Sequence, residues 1–107
     1  MTFNGATDQI ITSNNKAFYN LTINNTGSPG ADDIIISGDL DIDGKLTITD
    51  GDLDCSAHNP NLFVSGDFEI GPSGSFTKGT GVLTFDGTSG FNDNTTPKQD
   101  LGTVKVD

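Results

Sequence analysis

Arginine and tryptophan are absent from this chain of 107 residues, which has one cysteine, one histidine and one glutamate. With no arginine, and with five lysines against fifteen acidic residues, the chain lacks the clustered positive charge that nucleic-acid binding requires. A single cysteine excludes an internal disulfide, and no apolar run has the length that spans a bilayer. We therefore expect neither a nucleic-acid partner nor insertion into a membrane.

The chain also has few residues suited to catalysis. Cys55 and His58 lie three positions apart, next to an Asn-Pro pair that predicts a turn. Catalytic cysteine–histidine pairs normally come from distant segments of a chain. We therefore interpret Cys55 as a small buried apolar residue and His58 as a loop residue. The sequence predicts no enzyme, no catalytic residue and no required cofactor.

The apolar residues, 32% of the chain, occur in short alternating runs separated by glycine, asparagine and aspartate. This pattern is typical of short strands joined by tight turns, and it predicts an all-β fold. Apolar side chains at alternate positions are expected to point inward, with polar neighbours in solvent. The expected inward pairs are Leu40 and Ile42, Leu46 and Ile48, Phe68 and Ile70, and Leu83 and Phe85.

Internal repetition predicts how these strands are arranged. Residues 35–42 resemble residues 63–70, 28 positions later, through a shared Ser-Gly-Asp core. A second match, at a longer shift of 82 residues, relates residues 2–5 to residues 84–87. Because 82 is close to three times 28, both matches are interpreted as one coil of about 28 residues.

These matches predict a right-handed parallel β-helix, or β-solenoid, of about three to four coils. Residues 1–107 are expected to form one domain, in which an 82-residue unit at 2–83 begins again at 84–107. A small antiparallel β-sandwich is the alternative fold. The sandwich explains the alternation of apolar residues but not the repetition.

Three segments, residues 18–25, 37–48 and 81–88, resemble repeat regions of large bacterial cell-surface proteins. Those regions are adhesin-like or autotransporter-like stalks built as right-handed β-solenoids, and the resemblance covers almost the whole chain. It implies an extracellular or cell-surface location, a structural or adhesive role as stalk or spacer, and an origin in a longer repeat protein whose targeting signal lies outside these residues. It implies no catalytic residues.

Two other roles remain open from the sequence. Neither end shows an obvious polar cap, so copies of the chain or neighbouring repeats are expected partners, and copies stacked head-to-tail would form a fibre. The acidic surface, with a net charge of −10, is the basis of the second alternative, a weak module that binds Ca²⁺, a surface glycan or a protein.

Calcium has the most specific candidate residues. Residues 39–50 fit the D-x-D-x-D-G loop pattern, in which Asp39, Asp41, Asp43 and Asp50 would be ligands. The missing flanking helices and the short aspartate at the last position both disfavour a true EF-hand loop. A 28-residue coil would also stack Asp39 on Asp67 and Asp41 on Glu69, and a bound cation would relieve that repulsion. A solvated acidic surface screened by salt is the alternative.

Overall fold

A computed structural model describes residues 1–107, and it contains eleven β-strands and no helix. The strands are β1 (Thr2–Gly5), β2 (Gln9–Ile11), β3 (Leu21–Asn25), β4 (Asp33–Ile36), β5 (Leu40–Ile42), β6 (Leu46–Asp54), β7 (Leu62–Val64), β8 (Phe68–Thr77), β9 (Val82–Phe85), β10 (Phe91–Asp93) and β11 (Thr103–Val106). All strand pairs are parallel. The prediction of an all-β parallel solenoid is therefore confirmed, and the antiparallel sandwich is wrong.

The strands stack into three faces, and the chain crosses each face once per turn. Face 1 contains β1, β3, the first half of β6, the first half of β8, and β10. Face 2 contains β2, β4 and the second halves of β6 and β8. Face 3 begins with a bridge at Phe18 and continues with β5, β7, β9 and β11. The sequence-based expectation of right-handed winding stays a prediction.

The turns are shorter and more numerous than the sequence predicts. Successive strands of a face lie about 22 residues apart, and the chain makes about five turns instead of three or four. Leu40 pairs with Leu62, and Leu46 pairs with Phe68, whereas a 28-residue coil would have placed Leu40 beneath Phe68.

The 28-residue match has a structural explanation in the corners of the solenoid. The Ser-Gly-Asp sequence at 37–39 joins β4 on face 2 to β5 on face 3, whereas the one at 65–67 joins β7 on face 3 to β8 on face 1. The two segments therefore differ by one turn plus one face. Strand, corner and strand have a similar sequence pattern at every corner, so the self-match detects corners and not full turns.

The core is one cluster of eighteen buried apolar residues running through all the stacked turns. On face 1 Ile23, Ile48 and Ile70 lie directly over one another, and each is fully buried. All eight residues predicted to point inward are buried. Because each turn covers the apolar side chains of the turns on either side, the fold is stabilised mainly by contacts between neighbouring turns.

Two strands bend at a corner without interruption. The first half of β6 pairs with β3 on face 1 and its second half pairs with β4 on face 2. Gly51 lies at this bend with a φ of 90°, a left-handed conformation that favours glycine. A Cβ atom at Gly51 would also lie 2.9 Å from the carbonyl oxygen of Asp32, so the bend needs glycine for two reasons.

Candidate functional site

Two of the predicted calcium ligands connect neighbouring turns. Oδ1 of Asp39 accepts a hydrogen bond from the backbone N–H of Asn61 at 2.9 Å. Oδ1 of Asp67 accepts one from the N–H of Gly90, also at 2.9 Å. Each aspartate is the third residue of a Ser-Gly-Asp corner, and each holds the chain one turn further on. The repeated motif therefore corresponds to a repeated structural role.

The predicted stacking of carboxylates is wrong. Asp41 pairs with Phe63 and not with Glu69, while Glu69 pairs with Thr47. Glu69 also lies 3.6 Å from the ammonium group of Lys45. The cause is the 22-residue turn, which moves each carboxylate away from the partner that a 28-residue coil would give it.

The remaining predicted ligands do not converge either. Oδ1 of Asp50 accepts a hydrogen bond from the adjacent Gly51 N–H at 2.9 Å, and the side chain of Asp43 is exposed. Burial, together with the charges of Asp43 and Asp86, raises the pKa of Asp41. The chain contains no group of three or more His, Cys, Asp or Glu side chains placed to hold a metal ion. Calcium binding stays a prediction, and the side chains proposed for it lie on β5, β6 and β8 and at the corners beside them.

Sequence reasoning missed the hydrogen bonds that the other Asx residues make between turns. Asn20 Oδ1 accepts from the N–H of Lys45, and Asn61 Oδ1 accepts from the N–H of Val82. Asp8 Oδ1 accepts in the same way from a backbone N–H 25 residues ahead. Asp and Asn side chains commonly bond to nearby backbone groups within a turn, whereas these bonds reach the neighbouring turn of the solenoid. The signal that identifies these residues is an Asx residue at a corner with a matching corner about one turn later.

An acidic group on the outer side of face 2 was also missed. Asp33 of β4 and Asp52 of β6 are directly opposite each other in adjacent turns. Burial raises the pKa of Asp33, and the charges of Asp52, Asp8, Asp54 and Asp32 raise it further. This position on face 2 therefore carries unrelieved repulsion between adjacent turns.

Asp52 is the more enclosed member of this acidic pair. Burial raises its pKa, although hydrogen bonds from Thr77 and Ser75 act in the opposite direction. The Thr77 hydroxyl donates to Oδ2 at 2.6 Å, and the Ser75 hydroxyl donates to Oδ1 at 2.9 Å. These bonds connect Asp52 to the next turn but do not remove the repulsion from Asp33.

We expect mild acidification to stabilise the protein. Folding raises the pKa of Asp33 and Asp52, so the folded protein takes up protons at a higher pH than the unfolded chain does. Stability should rise as the pH falls from 7 through these raised values, and the gain is complete below the ordinary aspartate pKa of about 3.9. Thermal unfolding followed by circular dichroism from pH 7 to pH 3 measures this dependence.

Two variants separate the contributions to the pH profile. Asp33→Asn should raise the free energy of unfolding at pH 7 by about 0.5 kcal/mol and flatten the rise, because its side chain accepts no hydrogen bond that would be lost. The second variant concerns Asp93, whose pKa is lowered on folding. Burial acts to raise this pKa, but the hydrogen bonds from Thr95 and Gln99 and the charge of Lys98 outweigh burial. Asp93→Asn should therefore reduce the loss of stability below about pH 4. A melting temperature that falls between pH 7 and pH 5 would contradict this account.

Cys55 and His58 do not form a reactive pair. Cys55 points inward, is 3% exposed and belongs to the apolar core, which confirms its interpretation as a buried residue. Burial, with the Asp54 and Asp52 charges, raises the pKa of its thiol to about 12. The thiol is therefore protonated near neutral pH and is a poor nucleophile. His58 lies in the exposed turn that follows.

The C-terminal turn exposes inward-facing apolar side chains. Val104 and Val106 of β11 are 43% and 80% exposed, and Phe91 of β10 is 43% exposed. Together with Phe85 they line a shallow hollow of about 260 Å³. This surface, Phe91, Val104 and Val106, is called the apolar corner below. Exposed apolar groups beside an unpaired strand edge are typical of an interaction surface.

The same end also carries a partial polar cap, which the sequence did not predict. Asp93 occupies an inward position above Ile70 and accepts hydrogen bonds from the N–H and hydroxyl of Thr95 and from the N–H of Gln99. The side-chain oxygen of Gln99 accepts a hydrogen bond from the N–H of Phe76, where face 2 has no further strand. Side chains thus replace a strand on face 2, whereas β11 on face 3 stays open.

The structure therefore contains a continuous apolar core, corners joined by Asx side chains, an acidic outer surface, and unpaired strand edges at both ends, including that of β11. No helix in it is long and apolar enough to span a membrane. In comparisons with known proteins, no protein-family model, no curated protein and no solved structure matches this chain.

Proposed function

We propose that this chain is a non-enzymatic structural module, a rigid spacer in the stalk of an extracellular or cell-surface protein. The observation that carries the proposal is the unbroken stacking of about five turns around one apolar core. Each face is a ladder of parallel strands whose backbone hydrogen bonds run along the solenoid axis. Such a ladder keeps a fixed length per turn, which a spacer requires.

The outer surface supports the same role. Outward positions of the strands are mostly polar or acidic, and the net charge is −10. Like charge on neighbouring molecules keeps them apart and soluble. The Asx hydrogen bonds at the corners resist separation of neighbouring turns, because each one joins a turn to the next.

Rigidity along the axis can be measured with spin labels. The outward positions of face 1 form one column, which runs from Thr2 through Thr22, Thr47 and Glu69 to Asn92. In a Cys55→Ala background, cysteines at Thr2 and Asn92 would be four rungs, or about 19 Å, apart between Cα atoms. We expect a narrow distance distribution.

A second pair is the matched control. Labels at Thr22 and Asn92 should give an equally narrow distribution with a mean about 5 Å shorter, because one rung has been removed. Broad distributions for both pairs, or equal mean distances, would count against a spacer. A flexible chain of the same length would show such broad distributions.

A further inference from the structure

The sequence match at a shift of 82 residues corresponds to a repeated strand pairing. In the first unit, Phe3 of β1 pairs with Ile23 of β3. In the second unit, Phe85 of β9 pairs with Val106 of β11. A shift of 82 relates Phe3 to Phe85, and a shift of 83 relates Ile23 to Val106. The second unit therefore begins with the same two strands in the same register.

The elements between these strands also correspond. A shift of 82 places β2 (Gln9–Ile11) on β10 (Phe91–Asp93), which is the next strand in each unit. A shift of 83 places Phe18 on Leu101, and both are partly buried residues packed against the core. The second unit thus follows the order of the first up to the last described residue.

The repeated unit does not contain a whole number of turns. The first unit starts on face 1 with β1, whereas the second starts on face 3 with β9. Because successive turns are about 22 residues apart, a shift of 82 spans three turns and two further faces. Each unit therefore begins one face away from the previous unit, a rotation of about one third of a turn.

The first unit shows what normally covers the strand equivalent to β11. The equivalent strand is β3, and its outer edge pairs with β6, where Leu21 meets Leu46 and Ile23 meets Ile48. The N–H of Leu21 donates to the carbonyl of Lys45 at 2.9 Å, and both Leu21 and Ile23 are fully buried. In the second unit the corresponding residues, Val104 and Val106, belong to the apolar corner and are exposed.

We propose that the open edge of β11 is a docking site for the β6-equivalent strand of the same repeat unit, in a continuation of the chain from Asp107. The partner strand would carry the alternation of Leu46–Asp50, with apolar side chains over Val104 and Val106. The proposal builds on the spacer role, because a stalk lengthens by joining units in one register. The pairing of this edge is tested separately from the rigidity of the rod.

The polar cap is compatible with such a continuation. Asp93 stands where the first unit has Ile11, but the hydrogen bonds from Thr95 and Gln99 already satisfy its carboxylate. A following turn can cover a satisfied polar group at much lower cost than an unpaired one. The rotation also has a consequence for the surface: the acidic pair on face 2 recurs on a different face in each unit.

The test is a fusion in which residues 25–107 follow directly after Asp107, because Asp107 corresponds to Asn24. The backbone N–H of Asp107 donates to Phe85, so by alternation the N–H groups of Val104 and Val106 point to the open edge. In the single chain these two amides should exchange with solvent rapidly. In the fusion, exchange should slow at least 100-fold, and urea unfolding should be one transition with a larger m-value.

A fusion with residues 33–107 after Asp107 is the control, because it omits one corner and puts the added strands out of phase. Its Val104 and Val106 amides should exchange as fast as those of the single chain. Equal protection in both fusions, or no protection in the first, overturns the proposal. Protection that appears in the single chain only at high protein concentration also overturns it, because the occupant is then a separate copy.

Discussion

Deletion of residues 46–67 should leave a folded solenoid with one turn fewer, whereas deletion of residues 40–67 should abolish cooperative folding. The first deletion removes one whole turn and brings Phe68 to the position of Leu46, its partner on face 1. The second removes one turn and one further face, and it brings Phe68 to the position of Leu40, which lies on face 3. Every later strand would then be on the wrong face.

The size of the first effect follows from nearest-neighbour stacking. A domain of this size has a stability of about 5–15 kcal/mol, and the loss of one turn among about five should remove on the order of 1–3 kcal/mol of it. Urea denaturation followed by circular dichroism compares the two deletions with the full chain. If the longer deletion unfolds cooperatively and the shorter one does not, the turn assignment is wrong.

Leu46→Ala should lower the free energy of unfolding by about 3 kcal/mol, a large part of the total. Leu46 is fully buried and lies between Leu21 and Phe68 in adjacent turns, so its removal leaves a cavity that touches three turns. Leucine-to-alanine changes in such positions cost about 2–5 kcal/mol. Chemical denaturation monitored by circular dichroism gives the value.

Thr47→Ala in the same strand is the matched control. Its side chain points outward on face 1, and its loss should change stability by less than about 0.5 kcal/mol. Similar losses for Leu46→Ala and Thr47→Ala would mean that the apolar column is not the principal stabilising contact.

The sequence was sufficient for the fold class because the relevant signals are local. The alternation of apolar and polar residues, as in Leu40-Asp41-Ile42, indicates which side of a strand is buried. This signal does not depend on which strand lies beside it. For the same reason, all eight predicted inward residues are buried. The Ser-Gly-Asp corners and the shift of 82 indicated a repeat, and parallel stacking of repeats followed from that.

The turn length could not be derived in the same way. Corners at 37–39 and 65–67 have one motif because the same aspartate hydrogen bond holds both, yet they separate different pairs of faces. A match between two corners is therefore ambiguous by one face, and a 22-residue turn was interpreted as a 28-residue one. The predicted carboxylate stacks depended on that period and were wrong with it.

The candidate surfaces were likewise predictable from the sequence only in part. The sequence singled out Asp39 and Asp67, but their role, to hold the next turn, depends on which backbone N–H lies within reach of the side chain. The pair Asp33 and Asp52 has no motif, and it exists only because two turns bring β4 and β6 together. The apolar corner at β11 likewise depends on which strand has no neighbour.

The pattern of residues along the chain was enough to indicate short strands with apolar residues inward, joined at Asx- and glycine-rich corners and repeated along one axis. These properties depend on neighbouring residues along the chain, which periodicity records. The length of a turn, the residues that face each other across turns and the strand edges left unpaired became known only from the folded structure. Those depend on register between segments about 22 residues apart, and corners of the same kind leave that register undetermined.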